Sequence, residues 1–280
     1  MLSGAFTAIV TPFAEDGSID YPAFARLLAW HESEGINGVV VAGTNGEGPS
    51  LSAPEKRDLV AFAVQHGSSL KVVAGLGTCA ITEAIWLSNQ AQKAGAVASL
   101  ALPPFYFRPA LEDGIAAWFD SLLSASDLPC ILYNFPQTTG FTFTPELLDR
   151  LFAYEHVIGV KDSSGDESLL QQYLKMGRSV FVGNEKLISK CLEGGGSGTI
   201  SGLANSFPRL ISRLVHEGGE VLQQLVDEAV ANVKCHPQPA VHKWVLDLKG
   251  LPGGCARAPL QELPAEAKQS VRYFTERFGF

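Results

Sequence analysis

Eight short apolar runs, each followed by a stretch of helical pattern, fill the chain from Phe6 to about residue 200, and no other feature limits its fold as strongly. The runs lie at residues 7–10, 38–42, 71–74, 96–102, 129–133, 157–161, 180–182 and 198–200. Between them apolar side chains recur every three or four positions, as at Phe24, Leu27, Leu28 and His31. That alternation is the pattern of successive βα units around a parallel sheet. Helix starts are marked as well: Ser52 with Glu55 reads as a capping box, and Thr144 followed by Pro145 opens another helix. Eight units, rather than five or six, predict a closed (β/α)8 TIM barrel instead of an open doubly wound sheet.

After Ile200 the pattern is helical only, over residues 207–217, 221–234, 241–248 and 266–278, with a break at Pro237 and Pro239. We therefore expect a barrel over residues 1–218 and a C-terminal helical region over 219–280 packed on it, since no linker or low-complexity tract separates the two. A chain of 280 residues, 46% hydrophobic and 18% charged, has the balance of a globular protein with a sizeable core. Its net charge of -8 argues against a nucleic-acid partner, which is held through clustered Lys and Arg. No apolar stretch approaches the ~18 residues of a membrane span. The five cysteines (Cys79, Cys130, Cys191, Cys235 and Cys255) form no CxxC pair, and no leader pattern opens the sequence, so a reducing, cytoplasmic setting is expected.

In a barrel of this type the reacting groups stand at the carboxyl ends of the strands. Three ends carry unusual residues: the second run leads into GTNGEGPS, the fifth ends ILYNFPQTTG and the sixth ends VIGVKDSSGD. Tyr133 and Lys161 are one βα unit apart and so belong on adjacent strands at the same rim. A lone lysine at a strand end more often reaches solvent or pairs with a carboxylate. An amine in an apolar pocket, however, gives up its proton more readily and can attack a carbonyl. The resulting protonated imine withdraws electrons from the neighbouring carbon, and a phenol such as Tyr133 beside it can relay protons. Alone, Tyr133 would read as a rim aromatic with a satisfied hydroxyl.

The segment from Gly43 to Gly48 offers backbone amides, together with the side chains of Thr44 and Asn45, to a carboxylate. A plain flexible turn is the alternative. It lacks the Lys-Ser/Thr ending of a nucleotide loop. The six histidines form no HxH or HExxH cluster, so neither a metal nor a cofactor is expected. An iminium would itself supply the electron sink.

Taken in order, AIVTPF, GTNGE, PPFYFRP, YNFPQTTG, GVKDSSGD and GTISGLAN resemble the dihydrodipicolinate synthase and N-acetylneuraminate lyase superfamily of Schiff-base aldolases over essentially the whole chain. The resemblance implies that Lys161 forms the Schiff base and that Tyr133 donates and accepts protons. It implies that Thr44 passes protons to that tyrosine, that Thr44 and Asn45 hold the carboxylate of a 2-oxo acid, and that the backbone at Ile200 contacts bound pyruvate. Tyr106 matches a tyrosine that reaches into the neighbouring subunit's site, which implies a homodimer, paired into a homotetramer.

Position 138 bears on the second substrate. In the synthases an arginine there grips the carboxylate of aspartate semialdehyde, whereas this chain has Thr138, which brings no charge. Asn45, the segment CARAPLQELPAEAKQSVR and the GEGPSLS segment look like 4-hydroxy-2-oxoglutarate and 2-keto-3-deoxygluconate aldolases. The favoured expectation is thus an aldolase that cleaves a 4-hydroxy-2-oxo acid to pyruvate and an aldehyde. Its alternative is a 4-hydroxy-tetrahydrodipicolinate synthase. A barrel that only binds a 2-oxo acid is disfavoured, because binding would not need an amine, a phenol and a hydroxyl together. A phosphorylated-sugar aldolase ranks low, since Gly194, Gly195 and Gly196 precede the eighth run and belong at the opposite rim.

Overall fold

Strands covered on both faces need apolar residues at consecutive positions, and those in this chain close on themselves in sequence order. The computed structural model describes residues 2–278. Its strands are β1 (Gly4–Ala8), β2 (Gly38–Val41), β3 (Lys71–Gly75), β4 (Ala98–Ala101), β5 (Cys130–Asn134), β6 (Val157–Asp162), β7 (Ser179–Val182) and β8 (Gly198–Ser201). All neighbours are parallel, and β1 closes the ring with Phe6 opposite Gly38 on β2 and Ile200 on β8. The fold is a (β/α)8 TIM barrel with further helices at its C-terminal end.

Alternate residues of each strand divide between two cores. Phe6, Val40, Val73, Leu100, Ile131 and Phe181 fill the barrel interior, with Phe6 meeting Phe181 edge to face at 5.7 Å. Val39, Val41, Val72, Leu132 and Val180 face outward into the layer beneath the helices. The helix Ala53–His66 opens with the expected capping box: Ser52 N donates to Glu55 Oε2 at 2.8 Å and Glu55 N donates to Ser52 Oγ at 3.4 Å. Thr144 Oγ1 accepts from Leu147 N at 3.1 Å at the start of Pro145–Leu151.

Two strand expectations shift. The run at 7–10 marks burial rather than pairing, because the ladder covers Gly4–Ala8 while Ile9 and Val10 are fully buried beyond it. The run at 96–102 shrinks to Ala98–Ala101, since Ala96 N is taken by Ala91 O of the preceding helix. The other strand ends move by one residue.

The helices Glu220–Val233, Ala240–Leu248 and Ala265–Arg277 follow Pro208–Glu217. The buried Lys243 places its Nζ 2.5 Å from Glu47 Oε1, and it also donates to the carbonyl of Cys255. Arg257 N donates to the other Glu47 oxygen at 2.9 Å. The Arg257 guanidinium bonds Glu55, Ser50 O and Gly17 O, and lies 4.3 Å from the Phe13 ring centre. The C-terminal helices are thereby tied to the loops that follow β1 and β2. Among the described residues no helix is long and apolar enough to cross a membrane.

Candidate active site

The parallel register of β5 and β6 sets Tyr133 beside Lys161 and Asn134 beside Asp162. Side chains alternate along a strand, so the first pair points into the barrel and the second pair points out. The outward pair is a lock: Asn134 Nδ2 donates to Asp162 Oδ1 at 2.7 Å, and Asn134 Oδ1 accepts from Phe143 N at 3.1 Å. Asp162 also accepts from Ser164 N and Ser164 Oγ, at 3.1 and 2.9 Å. Burial raises the Asp162 carboxyl above its ordinary pKa, opposed by those donors. The lock fixes the two strand ends that carry Tyr133 and Lys161 against each other.

The inward pair meets at the floor of a cavity of about 320 Å3 at the carboxyl ends of the strands. Lys161 is 5% exposed, and its Nζ lies 4.2 Å from the centre of the Tyr133 ring. Among the described residues no carboxylate stands within ion-pairing distance of it, so the paired reading of this lysine does not apply. Gly183 makes room for it. A Cβ there would stand 2.0 Å from Ser163 Oγ and 3.0 Å from Lys161 Cε. The Tyr133 ring stacks on Phe135 at 5.6 Å, and its hydroxyl accepts from Ser163 Oγ at 3.3 Å.

Thr44, Asn45 and Ile200 line the same cavity. The Thr44 hydroxyl makes no hydrogen bond among the described residues, so within one chain the partner of Tyr133 is Ser163 rather than Thr44. The glycines of the β2 loop have a packing role as well. A Cβ on Gly48 would stand 2.1 Å from Ala42 O, and one on Gly46 2.8 Å from Ile9 O. These two glycines let the chain pack closely on itself. Between them the buried Glu47 takes a left-handed backbone, φ 55°, and faces Lys243. Thr138 and Tyr106 lie outside the lining. Thr138 sits half-buried in the short helix Pro136–Thr139, while Gln137 faces the cavity. Tyr106 is 78% exposed.

Sequence reasoning did not single out four further residues of the lining, Asn184, Gly202, Lys234 and Gln238. Behind them Glu185 is fully buried. Its Oε1 accepts from Ser201 Oγ at 2.8 Å and from the amides of Gly202 and Leu203 at 3.0 Å, and its Oε2 meets Lys234 Nζ at 2.8 Å. Burial alone would raise this carboxyl, but Lys234 and the converging donors outweigh it and bring the pKa to about 2. A larger cavity, about 870 Å3, lies between Trp30, Leu210 and Phe274 on the helical exterior, away from the strand ends. The smaller one is the candidate site because the barrel's functional side chains converge there.

The Dihydrodipicolinate synthetase family profile matches residues 1–277. A 4-hydroxy-tetrahydrodipicolinate synthase of Azoarcus sp. (strain BH72) is 34% identical over 274 residues, 94% of each chain. Dihydrodipicolinate synthase of Acinetobacter baumannii, solved in complex with pyruvate, superposes with a TM-score of 0.94 at 28% identity, covering 100% of this chain and 99% of that one. A prophage protein of the dihydrodipicolinic acid synthase family from E. coli K12, also in complex with pyruvate, gives 0.92 at 26% identity, covering 99% and 98%. A barrel with an amine and a phenol in register at its catalytic rim is the frame of a Schiff-base lyase. The chain belongs to the dihydrodipicolinate synthetase family, and with it to the carbon–carbon lyases that act through a lysine Schiff base.

Proposed function

We propose that Lys161 is the Schiff-base lysine and pyruvate the 2-oxo acid it takes. The Lys161 amine adds to the 2-oxo carbon and water leaves, giving a protonated imine. Tyr133 carries protons to and from the reacting atoms, with Ser163 against its hydroxyl. Thr44, Asn45 and the backbone at Ile200 receive the carboxylate. The imine draws electrons from the adjacent methyl carbon, which loses a proton and becomes an enamine nucleophile. Attack of that carbon on an aldehyde forms the new carbon–carbon bond, and the reverse sequence breaks one. A second copy, with Tyr106 projecting from it, would complete the site in a dimer or tetramer. The observation that carries this reading is the buried Lys161 amine, 4.2 Å from the Tyr133 ring and free of any carboxylate partner among the described residues.

The relatives named 4-hydroxy-tetrahydrodipicolinate synthase favour the condensing direction with aspartate semialdehyde over the retro-aldol cleavage that the sequence suggested. They lend no particular support to a likeness with 4-hydroxy-2-oxoglutarate or 2-keto-3-deoxygluconate aldolases. The retro-aldol reading is retained for one reason: Thr138 brings no charge where the synthases carry an arginine. Incubation with pyruvate and borohydride, followed by peptide mass spectrometry, tests the shared step. We expect a pyruvyl adduct on the Lys161 peptide that is absent in Lys161→Ala; no adduct on folded protein would sink the mechanism. Turnover of pyruvate with aspartate semialdehyde, set against cleavage of 4-hydroxy-2-oxoglutarate, then separates the two readings.

A further inference from the structure

The second substrate must enter the same cavity, and its charge requirements can be read from the walls. Of the residues lining that cavity, two carry charge, Lys161 and Lys234. Lys161 is committed to the imine on the reading proposed above. Lys234 stands at the end of the helix Glu220–Val233, with its side chain 26% exposed while its counter-ion Glu185 is fully buried. The pair is therefore lopsided. Glu185 is held by Ser201 and two backbone amides on one oxygen and by Lys234 on the other. Lys234 spends one of its three N–H donors on this bond, which leaves two on a side chain that lines the cavity.

A second donor is fixed beside it. His242 is fully buried, and burial lowers its pKa to about 3, so near neutrality its ring carries a single N–H. Its Nε2 lies 3.3 Å from Gln238 Oε1, an atom that can only accept, which requires the proton on Nε2. Nδ1 then accepts from Ser206 Oγ at 2.8 Å. With its oxygen occupied, Gln238 presents its NH2 as the free end. Gln238 also closes over Gly202 opposite Asn45: a Cβ on Gly202 would stand 2.4 Å from Asn45 Nδ2 and 3.5 Å from Gln238 Oε1.

We propose that Lys234, assisted by the Gln238 amide, forms the subsite that selects the second substrate, an aldehyde bearing a carboxylate. This rests on the aldol reading of the cavity and supplies the cation that Thr138 does not. An ammonium with spare donors beside a fixed amide is suited to one carboxylate end. An uncharged sugar aldehyde gains nothing from it.

The test compares glyoxylate with glycolaldehyde, the same length without the carboxylate, as partners for pyruvate in wild type, Lys234→Met and Lys234→Arg. In wild type we expect preference for glyoxylate. In Lys234→Met the KM for glyoxylate should rise about 10- to 100-fold, the loss of one charge-assisted bond, with the KM for glycolaldehyde unchanged; Lys234→Arg should recover most of it. Because Glu185 loses its counter-ion, Lys234→Met with Glu185→Gln is measured too and should show the same loss of selectivity. Borohydride trapping of pyruvate is run on every protein. Adducts throughout with no glyoxylate preference in wild type, or with both aldehydes affected alike, overturn the Lys234 subsite alone. No adduct in wild type overturns the aldol reading and the subsite together.

Discussion

Replacing Lys243 by methionine tests how the C-terminal helices hold the loop that carries Thr44 and Asn45. The side chains of Glu47 and Lys243 are 0% and 4% exposed, and they meet at 2.5 Å. Burial lowers the Lys243 pKa even with the Glu47 carboxylate against it. Desolvation thus offsets most of the attraction, and the intact pair adds little net stability. Breaking it is another matter. In Lys243→Met, Glu47 keeps one donor, the Arg257 amide at 2.9 Å, for a charge that water does not reach. The expected cost is about 3–5 kcal/mol, a large share of the ~5–15 kcal/mol that a folded domain has in hand. Urea unfolding at pH 7 of wild type, Lys243→Met, Glu47→Gln and the double variant measures it. The double variant should recover roughly 2 kcal/mol or more relative to the sum of the single changes, as expected for a contacting pair. The KM for pyruvate should rise in Lys243→Met, since Glu47 anchors the loop just beyond Asn45. Additive single costs, or a loss below about 1 kcal/mol in Lys243→Met, would refute the buried-pair argument.

Acid should destabilise the fold through its buried histidines. Burial lowers the pKa of His31 to about 4 and that of His242 to about 3, from 6.5. The unfolded chain therefore takes up two more protons as pH falls below 6.5, and stability should drop by about 2.7 kcal/mol per pH unit until His31 titrates near 4. Unfolding midpoints at several pH values check the slope, and His242→Gln should roughly halve it. Glu185, lowered to about 2, contributes stability above its unfolded value near 4.5 that is lost below it. Gly183→Ala should abolish borohydride trapping of pyruvate, because its Cβ would press on Ser163 Oγ and Lys161 Cε. Intact mass and circular dichroism would check this, and an undiminished adduct in a folded variant would count against the packing argument.

Tyr133 and Lys161 were legible from sequence because parallel strands one βα unit apart meet in register, and strand ends in a barrel share a rim. The first strand was misplaced for a physical reason. Hydropathy reports burial, and Ile9 and Val10 are as buried as the paired residues although they lie outside the ladder. Glu47 looked like part of a ligand loop because sequence does not reveal a partner 196 residues away. Its buried charge and left-handed backbone become intelligible only when Lys243 arrives from the C-terminal helices.

Lys234 escaped for the same reason, and it also had a bland local reading as a cation at a helix C-terminus, where the macrodipole favours one. What separates it from an ordinary capping lysine is Glu185 behind it and a cavity in front. Both are contributed by other βα units. Tyr133 and Lys161, to which we assign the pyruvate step, sit at strand ends, where the barrel's geometry dictates their place. The wall proposed to meet the second substrate is assembled from the β7 and β8 loops and a segment beyond the barrel, so a charge there can be placed independently of Tyr133 and Lys161. A neutral Thr138 is thus compatible with an anionic second substrate, provided Lys234 supplies the cation.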